Sequence, residues 1–295
     1  MKPLLALDWG TTSLRGALLA ADGTVVQERA LPQGILSVAA GQFPSVFQNA
    51  FGDWMQDGRL CLIAGMAGSQ QGWREAPYCA CPAGFGDIAA RLAWVEPGRI
   101  AIVPGLSIEA GGVPDVMRGE ETQVFGALAL LGLDDARLVL PGTHSKWVNV
   151  GGRRITHFST WMSGEFYALL RRHSILARTL PDAEPPHDAD AFMQGVQHAR
   201  QGAGLLHTAF STRTLSLFRR LPAEALPSYL SGLVIGEEVK AQSLARGDSV
   251  VVIGAPALAA CYEQALALWG VAVQPVGNQA TWRGLHAIAQ TLNSP

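Results

Sequence analysis

The sequence predicts an α/β fold in which one strand arrangement occurs twice. Short apolar runs alternate with amphipathic segments of helical period, a pattern typical of strands and helices mixed along one chain. A strand, a polar glycine-bearing loop, a second strand, a tight turn and a third strand occur near residue 4 and again near residue 137. This duplication predicts two domains of similar plan that face one another.

The first half is predicted to begin with short strands joined by tight turns. Asp22-Gly23 is a strong hairpin signal between two apolar runs. A glycine- and proline-rich stretch at 106–119 has no predicted element. The predicted strands cover 4–7, 16–20, 24–28, 60–64 and 99–103, and the predicted helices cover 43–57, 86–94 and about 120–132.

The second half repeats the strand start and then becomes mostly helical. Gly151-Gly152 is predicted to turn the chain between two of its strands. The predicted strands cover 137–140, 147–150, 153–159, 249–256 and 271–276. The predicted helices cover about 163–173, 189–200, 203–219, 227–246, 257–269 and 280–291. We expect a first domain over 1–115 and a second over 116–279, with the C-terminal segment 280–295 packing on the first.

Composition excludes several classes of partner. The chain has 295 residues, 48% of them hydrophobic, and a net charge of −2. So small a charge argues against broad attraction to nucleic acid or to an anionic membrane. No stretch reaches the roughly 18 apolar residues of a membrane span, and Asp8 interrupts the N-terminal run too early for a signal peptide. We expect a cytoplasmic protein whose four cysteines are reduced thiols.

The loop after the first strand has more polar groups than a turn requires. Asp8 and Gly10 are followed by Thr11, Thr12 and Ser13, after which apolar residues resume. A glycine turn with small hydroxyl side chains presents N–H and O–H donors to an anion at short range. Asp8 would lie beside bound phosphates, where Mg²⁺ would neutralise its carboxylate, usually through water.

A second loop repeats this design in the other half. Gly142, Thr143, His144 and Ser145 precede Lys146, which can place a point charge on phosphate. Ordinary solvated turn residues are an equally weighted interpretation of this second loop. The sequence contains no P-loop, no dinucleotide-binding fingerprint and no Gly-x-Ser-x-Gly elbow, so the common alternatives are absent.

Several motifs resemble known families. DWGTTSLR (8–15) is similar to the first phosphate motif of the actin/hexokinase/heat-shock-chaperone ATPase superfamily, and VVVIGAPALAACYEQAL (250–266) to its adenosine motif. More narrowly, GMAGSQQGW, MRGEETQ, LPGTHSKW and MSGEF resemble the 2-dehydro-3-deoxygalactonokinase family, in order and almost end to end. The second phosphate loop departs from many superfamily relatives, because it has no aspartate.

The resemblance implies two ribonuclease-H-like domains with ATP in the cleft between them. It implies Mg²⁺ at Asp8 and a set of ATP- and phosphate-binding residues from the three superfamily motifs. That set is Asp8, Gly10, Thr11, Thr12, Ser13, Arg15, Gly142, Thr143, His144, Ser145, Lys146, Gly254 and Ala255.

The catalytic base is predicted in the Arg118-Gly119-Glu120-Glu121 segment, at the start of a helix. Related hexokinase-like enzymes carry their base at the corresponding place, before the second phosphate motif. Adjacent residues on a helix point about 100° apart, so only one of Glu120 and Glu121 can face a substrate. Helix capping is the alternative role for both. We expect one of them to be the base, with a slight preference for Glu120.

Substrate contacts are predicted from the loop at 65–73 and from the segment 161–165, which precedes a helix and can close the same pocket, although Ser163 is equally a plain N-cap. The glycine- and amide-rich loop at 65–73 can bind hydroxyls while its tryptophan packs on the ligand, although an ordinary surface loop has the same composition. A sugar acid needs N–H donors for its carboxylate, for which Arg15, Arg74 and Arg118 stay open. The predicted substrate-binding residues are Ser69, Gln70, Trp73, Arg118, Trp161 and Glu165.

The resemblance implies an ATP-dependent kinase for the 6-hydroxyl of 2-dehydro-3-deoxy-D-galactonate, in galactonate catabolism. A kinase for another sugar or sugar acid is the first alternative. A nucleotide-dependent regulator of the same superfamily is the second, disfavoured because no DNA- or peptide-binding module is evident. We expect a small sugar acid and ATP as the partners, and we leave a homo-oligomer open.

Overall fold

The computed structural model describes residues 3–56 and 58–292, in which strands and helices are mixed along the chain. The strands are β1 (Leu4–Trp9), β2 (Leu14–Leu19), β3 (Val25–Leu31), β4 (Leu60–Gly65), β5 (Cys79–Ala80), β6 (Ala93–Glu96), β7 (Ile100–Ile102), β8 (Leu106–Ala110), β9 (Val113–Met117), β10 (Ala136–Leu140), β11 (Ser145–Gly151), β12 (Arg154–Trp161), β13 (Ser249–Ile253) and β14 (Ala272–Val276). The helices are α1 (Phe43–Phe51), α2 (Phe85–Ala90), α3 (Glu120–Leu131), α4 (Ser163–His173), α5 (Ala189–Gln201), α6 (Leu205–Thr208), α7 (Ser211–Leu217), α8 (Leu226–Lys240), α9 (Pro256–Ala267) and α10 (Gln279–Thr291).

The first sheet has the strand order β3-β2-β1-β4-β7-β6. Strand β1 pairs antiparallel with β2 and parallel with β4, which in turn pairs parallel with β7. Apolar side chains of β1, β4 and β7 pack on α1 in one buried core that includes Leu7, Phe51 and Ile63. Because β1 is covered on both faces, its sequence is a continuous apolar run rather than an alternating one.

The second sheet has the order β12-β11-β10-β13-β14. In both sheets the first strand lies between the second and the fourth, and the third lies outside the second. The predicted α/β class and the predicted repeat are therefore confirmed. Among the described residues, no helix combines the length and the apolar character that crossing a membrane requires.

The described chain divides into two compact units. The first unit contains residues up to Leu138, the segment Val148–Ser159 and the residues from Val276 onward, and the second contains Val139–Trp147 and Thr160–Pro275. Residues 116–138, predicted for the second domain, cluster with the first unit. The functional limits 1–115 and 116–279 stay a prediction, because compactness does not test which domain binds which group.

The C-terminal helix α10 belongs to the first unit. It packs against α3 so closely that a Cβ on Gly126 would lie 1.7 Å from the carbonyl oxygen of Ala280. Small residues on both helices permit this approach. The predicted C-terminal segment extends to 295, and residues 293–295 lie outside the described residues.

Some predicted elements were wrong. Residues 93–96 form strand β6, paired with β7, instead of ending a helix over 86–94. The stretch 106–119 contains an antiparallel hairpin, β8 and β9, turned by Gly111 and Gly112 at positive φ. Gly111, Gly112 and Pro114 interrupt the alternation of apolar and polar residues from which strands are predicted.

Helix boundaries account for the remaining differences. The region 203–219 forms the two short helices α6 and α7, and α8 ends at Lys240 rather than at 246. The α-helix at 43 ends at Phe51 and continues as a 3₁₀ turn to Trp54. The last residue of the predicted helix, Asp57, lies outside the described residues.

Candidate active site

The first predicted phosphate loop is an exposed turn that hydrogen-bonds to the segment around Ile35. The backbone N–H of Gly10 donates to the carbonyl of Ser13 at 2.9 Å, and Thr11, Thr12 and Ser13 are exposed. The N–H of Ile35 donates to the carbonyl of Gly10 at 3.0 Å, so the following segment fixes the turn. The loop therefore presents three hydroxyl groups to solvent on a fixed backbone.

Asp8 lies at the carboxyl end of β1, opposite Arg15 in the β1–β2 register. The guanidinium of Arg15 donates to Oδ2 of Asp8, and the side chain of Asp8 is 18% exposed. Arg15 thus contacts the carboxylate predicted to bind the metal.

Two glycines bring the start of α3 to this carboxylate. Gly65 ends β4 at φ +91°, and a Cβ there would lie 3.2 Å from Oδ1 of Asp8. Gly119 precedes α3 at φ +103°, and its Cβ would lie 3.2 Å from Cα of Gly65. The carboxyl ends of β1 and β4 and the N-terminus of α3 therefore meet, which is where open α/β sheets bind ligands.

The two glutamates of α3 occupy different environments. Glu120 is half-buried, and its Oε2 accepts from the backbone N–H of Arg118 at 2.9 Å. Glu121 is fully buried, where it accepts from the N–H of Gly119 at 2.7 Å and from the hydroxyl of Thr122 at 3.0 Å. Burial, together with the nearby charge of Glu120, raises the pKa of Glu121 to about 8. Of the two glutamates, Glu120 is the partly exposed one, and it begins the helix whose N-terminus meets Asp8.

The raised pKa of Glu121 predicts a pH dependence of stability. Between the ordinary value of 4.5 and about 8, the folded state binds more protons than the unfolded state, so this group's stabilisation is lost as pH rises. Gln does not titrate, so only the wild type loses this stabilisation. We expect the free energy of unfolding of Glu121→Gln, relative to that of the wild type, to rise by on the order of 2–4 kcal/mol between pH 4.5 and pH 8. Denaturant unfolding across this range measures it, with Glu109→Gln, at an exposed glutamate of β8, as the control. A difference independent of pH would contradict the environment of Glu121.

A cavity of about 380 Å³ opens beside Arg118 in the first unit. Arg118 donates from Nη2 to the carbonyl of Ala76 at 2.8 Å, and its guanidinium carbon lies 4.4 Å from the ring centroid of Tyr78. Its Nε and Nη1 and the hydroxyl of Ser69 are buried without a hydrogen-bond partner in residues 3–56 and 58–292. The lining residues are Met66, Ser69, Gln70, Gln71, Glu75, Tyr78 and Arg118.

Trp73 and Arg74 lie apart from this cavity. The ring of Trp73 packs on Trp9 and Phe47, with centroids 6.1 and 5.3 Å apart. It also lines a different cavity, which Gln70 shares. Arg74 is exposed and lines neither cavity. The structure thus brings Ser69, Gln70 and Arg118 together, whereas a substrate contact of Trp73 stays a prediction.

The second predicted phosphate loop is held by the start of α4. A Cβ on Gly164 would lie 2.5 Å from the carbonyl oxygen of Gly142, and the N–H of Glu165 donates to the carbonyl of Thr143 at 3.1 Å. The side chain of Glu165 pairs with Nε2 of His144 at 2.5 Å. Glu165, predicted for the substrate, therefore contacts the loop itself.

The end of this loop is buried rather than exposed. Ser145 is fully buried with its hydroxyl 3.0 Å from that of Tyr262, and Lys146, 6% exposed, donates to the hydroxyl of Thr160 at 2.6 Å. Strand β11 has begun at Ser145, so both side chains enter the packed interior. Gly142, Thr143 and His144 are not buried, although Nε2 of His144 is paired with Glu165, and phosphate contacts of Ser145 and Lys146 stay predictions.

A cavity of about 290 Å³ adjoins the second loop within the second unit. Three of the sequence motifs contribute to its walls, since Gly142 belongs to LPGTHSKW, Ser163 to MSGEF and Tyr262 to the adenosine motif, whereas the wall from α8 belongs to none. Gly254 lies near the loop, since its Cβ would be 3.7 Å from Cδ of Pro141. Ala255 is exposed just before α9, and Trp161 packs against the core of this unit. The cavity lining includes Gly142, Ser163, Gly164, Ser231, Val234, Leu258 and Tyr262.

The two large sheets share one strand order, Asp8 lies at a strand end of the first sheet, and a glycine loop adjoins a cavity in the second unit. These features suit a sugar-acid kinase. The model of the family described as 2-keto-3-deoxy-galactonokinase matches residues 8–288. The 2-dehydro-3-deoxygalactonokinase of Escherichia coli (strain K12) is 35% identical over 291 residues, 98% of each chain. The chain therefore belongs to the 2-keto-3-deoxy-galactonokinase family, and the predicted resemblance is confirmed.

Solved structures agree with this family. A crystal structure from Sinorhizobium meliloti, provisionally described as a 2-dehydro-3-deoxygalactonokinase, has a TM-score of 0.90 and 35% identity, covering 98% of this chain and 99% of that one. The (R)-2-hydroxyglutaryl-CoA dehydratase component A of Acidaminococcus fermentans has a TM-score of 0.53 and 11% identity, covering 99% of this chain and all of that one. The second likeness shows a shared fold alone.

Proposed function

We propose that this chain uses ATP to phosphorylate the 6-hydroxyl of 2-dehydro-3-deoxy-D-galactonate, a step in galactonate catabolism. The observation that carries the proposal is one cluster in the first unit. Asp8 meets the start of α3, and Arg118, whose N–H binds the carboxylate of Glu120, lines the adjoining cavity. A metal-binding carboxylate, a proton acceptor and a cation for a sugar acid are thereby adjacent.

ATP binding is assigned to the polar loops and to the 290 Å³ cavity. The turn at residues 10–13 offers hydroxyl and N–H donors to phosphate. The second loop offers Gly142, Thr143 and His144, and the largely apolar cavity beside it suits a nucleoside. Gly254 and Ala255 precede α9 at the same place, which supports their predicted contact with adenosine.

The residues present fit a magnesium ion that arrives with ATP. Within residues 3–56 and 58–292, no three His, Cys, Asp or Glu side chains form a metal-holding group. Mg²⁺ beside phosphates needs only one or two protein carboxylates and keeps several waters. Asp8 would hold it, and the bound ion would neutralise charge on the transferring phosphoryl group.

Glu120 is assigned the proton of the 6-hydroxyl. Phosphoryl transfer depends mainly on positioning and charge, so the protein needs one group that accepts this proton as the oxygen attacks. The hydrogen bond from the N–H of Arg118 holds one oxygen of Glu120 in place. Glu121, buried and with a raised pKa, instead ties the turn at Gly119 to the helix.

Arg118 is assigned the substrate carboxylate, and its replacement tests this. Its guanidinium offers a planar fork of donors, two of them without a partner in the described chain. Arg118→Lys keeps the charge but loses the fork, so we expect KM for the sugar acid to rise about 10–100-fold. KM for ATP should stay near that of the wild type.

Arg74→Lys is the matched control, because Arg74 is exposed and lies outside the cavity. Steady-state kinetics with each substrate varied in turn gives KM for the sugar acid and KM for ATP in both variants. Equal KM values for the sugar acid in both variants would remove Arg118 from the substrate site.

The function itself is tested by ADP release over a panel of acceptors. We expect the highest kcat/KM with 2-dehydro-3-deoxy-D-galactonate, lower values with its stereoisomers, and little with uncharged hexoses. A higher value for another sugar acid would transfer the proposal to that compound. ADP release independent of any acceptor would instead indicate a nucleotide-dependent regulator.

The proposal also includes a cytoplasmic location and leaves self-association open. Exposed apolar side chains on and beside α6 and α7 favour self-association, with Leu206 98% and Phe218 74% exposed. Apolar surface of this kind commonly marks a protein interface.

A further inference from the structure

Glu238 is a buried carboxylate that no motif indicated. It lies on α8 and is 1% exposed. The indole N–H of Trp147 donates to its Oε1 at 2.7 Å, and the hydroxyl of Tyr262 donates to its Oε2 at 2.9 Å. The hydroxyl of Ser163 also donates to Oε2. Three side-chain donors therefore converge on one buried carboxylate, which is how proteins satisfy such a group.

Each donor belongs to an element that shapes the proposed nucleotide site. Trp147 lies on β11, directly after the second loop. Ser163 begins α4, whose Gly164 packs against the carbonyl of Gly142. Tyr262 lies on α9, which follows Gly254 and Ala255. Glu238 thus hydrogen-bonds to β11, α4 and α9, three segments that surround the 290 Å³ cavity or the loop beside it.

The hydrogen bonds also fix the direction of the polar groups. The hydroxyl of Tyr262 gives its proton to Glu238, and the hydroxyl of Ser145 lies 3.0 Å from that of Tyr262 and also hydrogen-bonds to Glu238. Ser163 and Tyr262 both line the cavity, yet both give their protons to Glu238. The network therefore sets the shape of the cavity wall, and Ser163 and Tyr262 keep no proton for a ligand.

We propose that Glu238 is a positioning residue for the nucleotide, holding the second loop and helices α4 and α9 in the arrangement that binds ATP. This inference rests on the proposed function, because it assumes that the second unit binds a nucleotide. A role in packing alone would lower stability without changing nucleotide affinity once the protein is folded.

Glu238→Gln tests the inference with almost no change in shape. An amide has one acceptor oxygen, so it cannot accept from Trp147 on one side and from both hydroxyls on the other. We expect Kd for ADP, measured by calorimetry, and KM for ATP each to rise about tenfold or more, the effect of losing a charge-assisted hydrogen bond. KM for the sugar acid should change little, because Glu238 and its donors all belong to the second unit.

Two further variants keep the test decisive. Glu237→Gln, at the preceding position of α8, is the matched control and should bind ADP like the wild type. Tyr262→Phe removes one donor and should weaken ADP binding in the same direction, so it decides the question if Glu238→Gln does not fold. ADP affinity equal to that of the wild type in folded Glu238→Gln and Tyr262→Phe would overturn the inference. Absence of ADP binding by the wild type would contradict the proposed function instead.

Discussion

Glu120→Gln is expected to lower kcat by about 10²–10⁴-fold, the usual contribution of a general base. Gln keeps the shape of the side chain and can still accept the hydrogen bond from the N–H of Arg118. It cannot take the proton of the attacking hydroxyl. Because Glu120 is assigned to the hydroxyl of the sugar acid and not to the nucleotide, affinity for ATP should be almost unchanged.

Glu121→Gln is the matched control, one residue further along α3. Glu121 is fully buried and bound to Gly119 and Thr122, so its replacement should act mainly on stability. Single-turnover rates and ATP affinities of both variants separate the two roles. If neither variant loses more than about tenfold in rate, the base lies elsewhere. If Glu121→Gln alone loses activity, the two assignments must be exchanged.

Asp8→Asn is expected to abolish most turnover, by about 10²–10³-fold or more, because charge neutralisation at the phosphoryl group is a large part of catalysis. The amide keeps the size of the side chain but removes the negative charge that would bind Mg²⁺. It also releases Arg15 from its ion pair. Turnover measured over a Mg²⁺ titration tests the assignment, with circular dichroism to confirm the fold.

Asp53→Asn provides the control for losing an Asp–Arg pair in the same unit. Asp53 pairs with Arg29 at 2.9 Å in an exposed position and is not among the predicted site residues. Its replacement should leave kcat and the Mg²⁺ response unchanged. Near-normal turnover of Asp8→Asn at any Mg²⁺ concentration would show that Asp8 holds no catalytic metal.

Much of the fold could be predicted because local patterns determine it. The apolar run of β1, the Asp22-Gly23 turn and the period of α3 each lie within a short window, and each element is found near its predicted place. The hairpin of β8 and β9 was missed because glycine and proline dominate its composition. Its pairing, from Leu106 with Met117 to Ala110 with Val113, is settled by tertiary contact rather than by local preference.

The candidate site was predictable only in part, for a similar reason. The motifs identified Asp8 and the two glutamates, but not that Glu121 is buried while Glu120 is partly exposed. Lys146 looked like a free cation in the sequence and is paired with Thr160 in the interior. Glu238 is distant in sequence from Trp147, Ser163 and Tyr262, and no local pattern indicates that four such side chains meet.

Phosphorus NMR of the reaction product tests the central claim most directly. Wild-type protein is mixed with ATP, Mg²⁺ and 2-dehydro-3-deoxy-D-galactonate, and the new phosphorus signal is correlated with protons of the sugar acid. The account predicts a phosphomonoester coupled to the two protons on carbon 6, formed in step with ADP. Inorganic phosphate without a phosphomonoester, or a phosphomonoester coupled to a proton on another carbon, would contradict it.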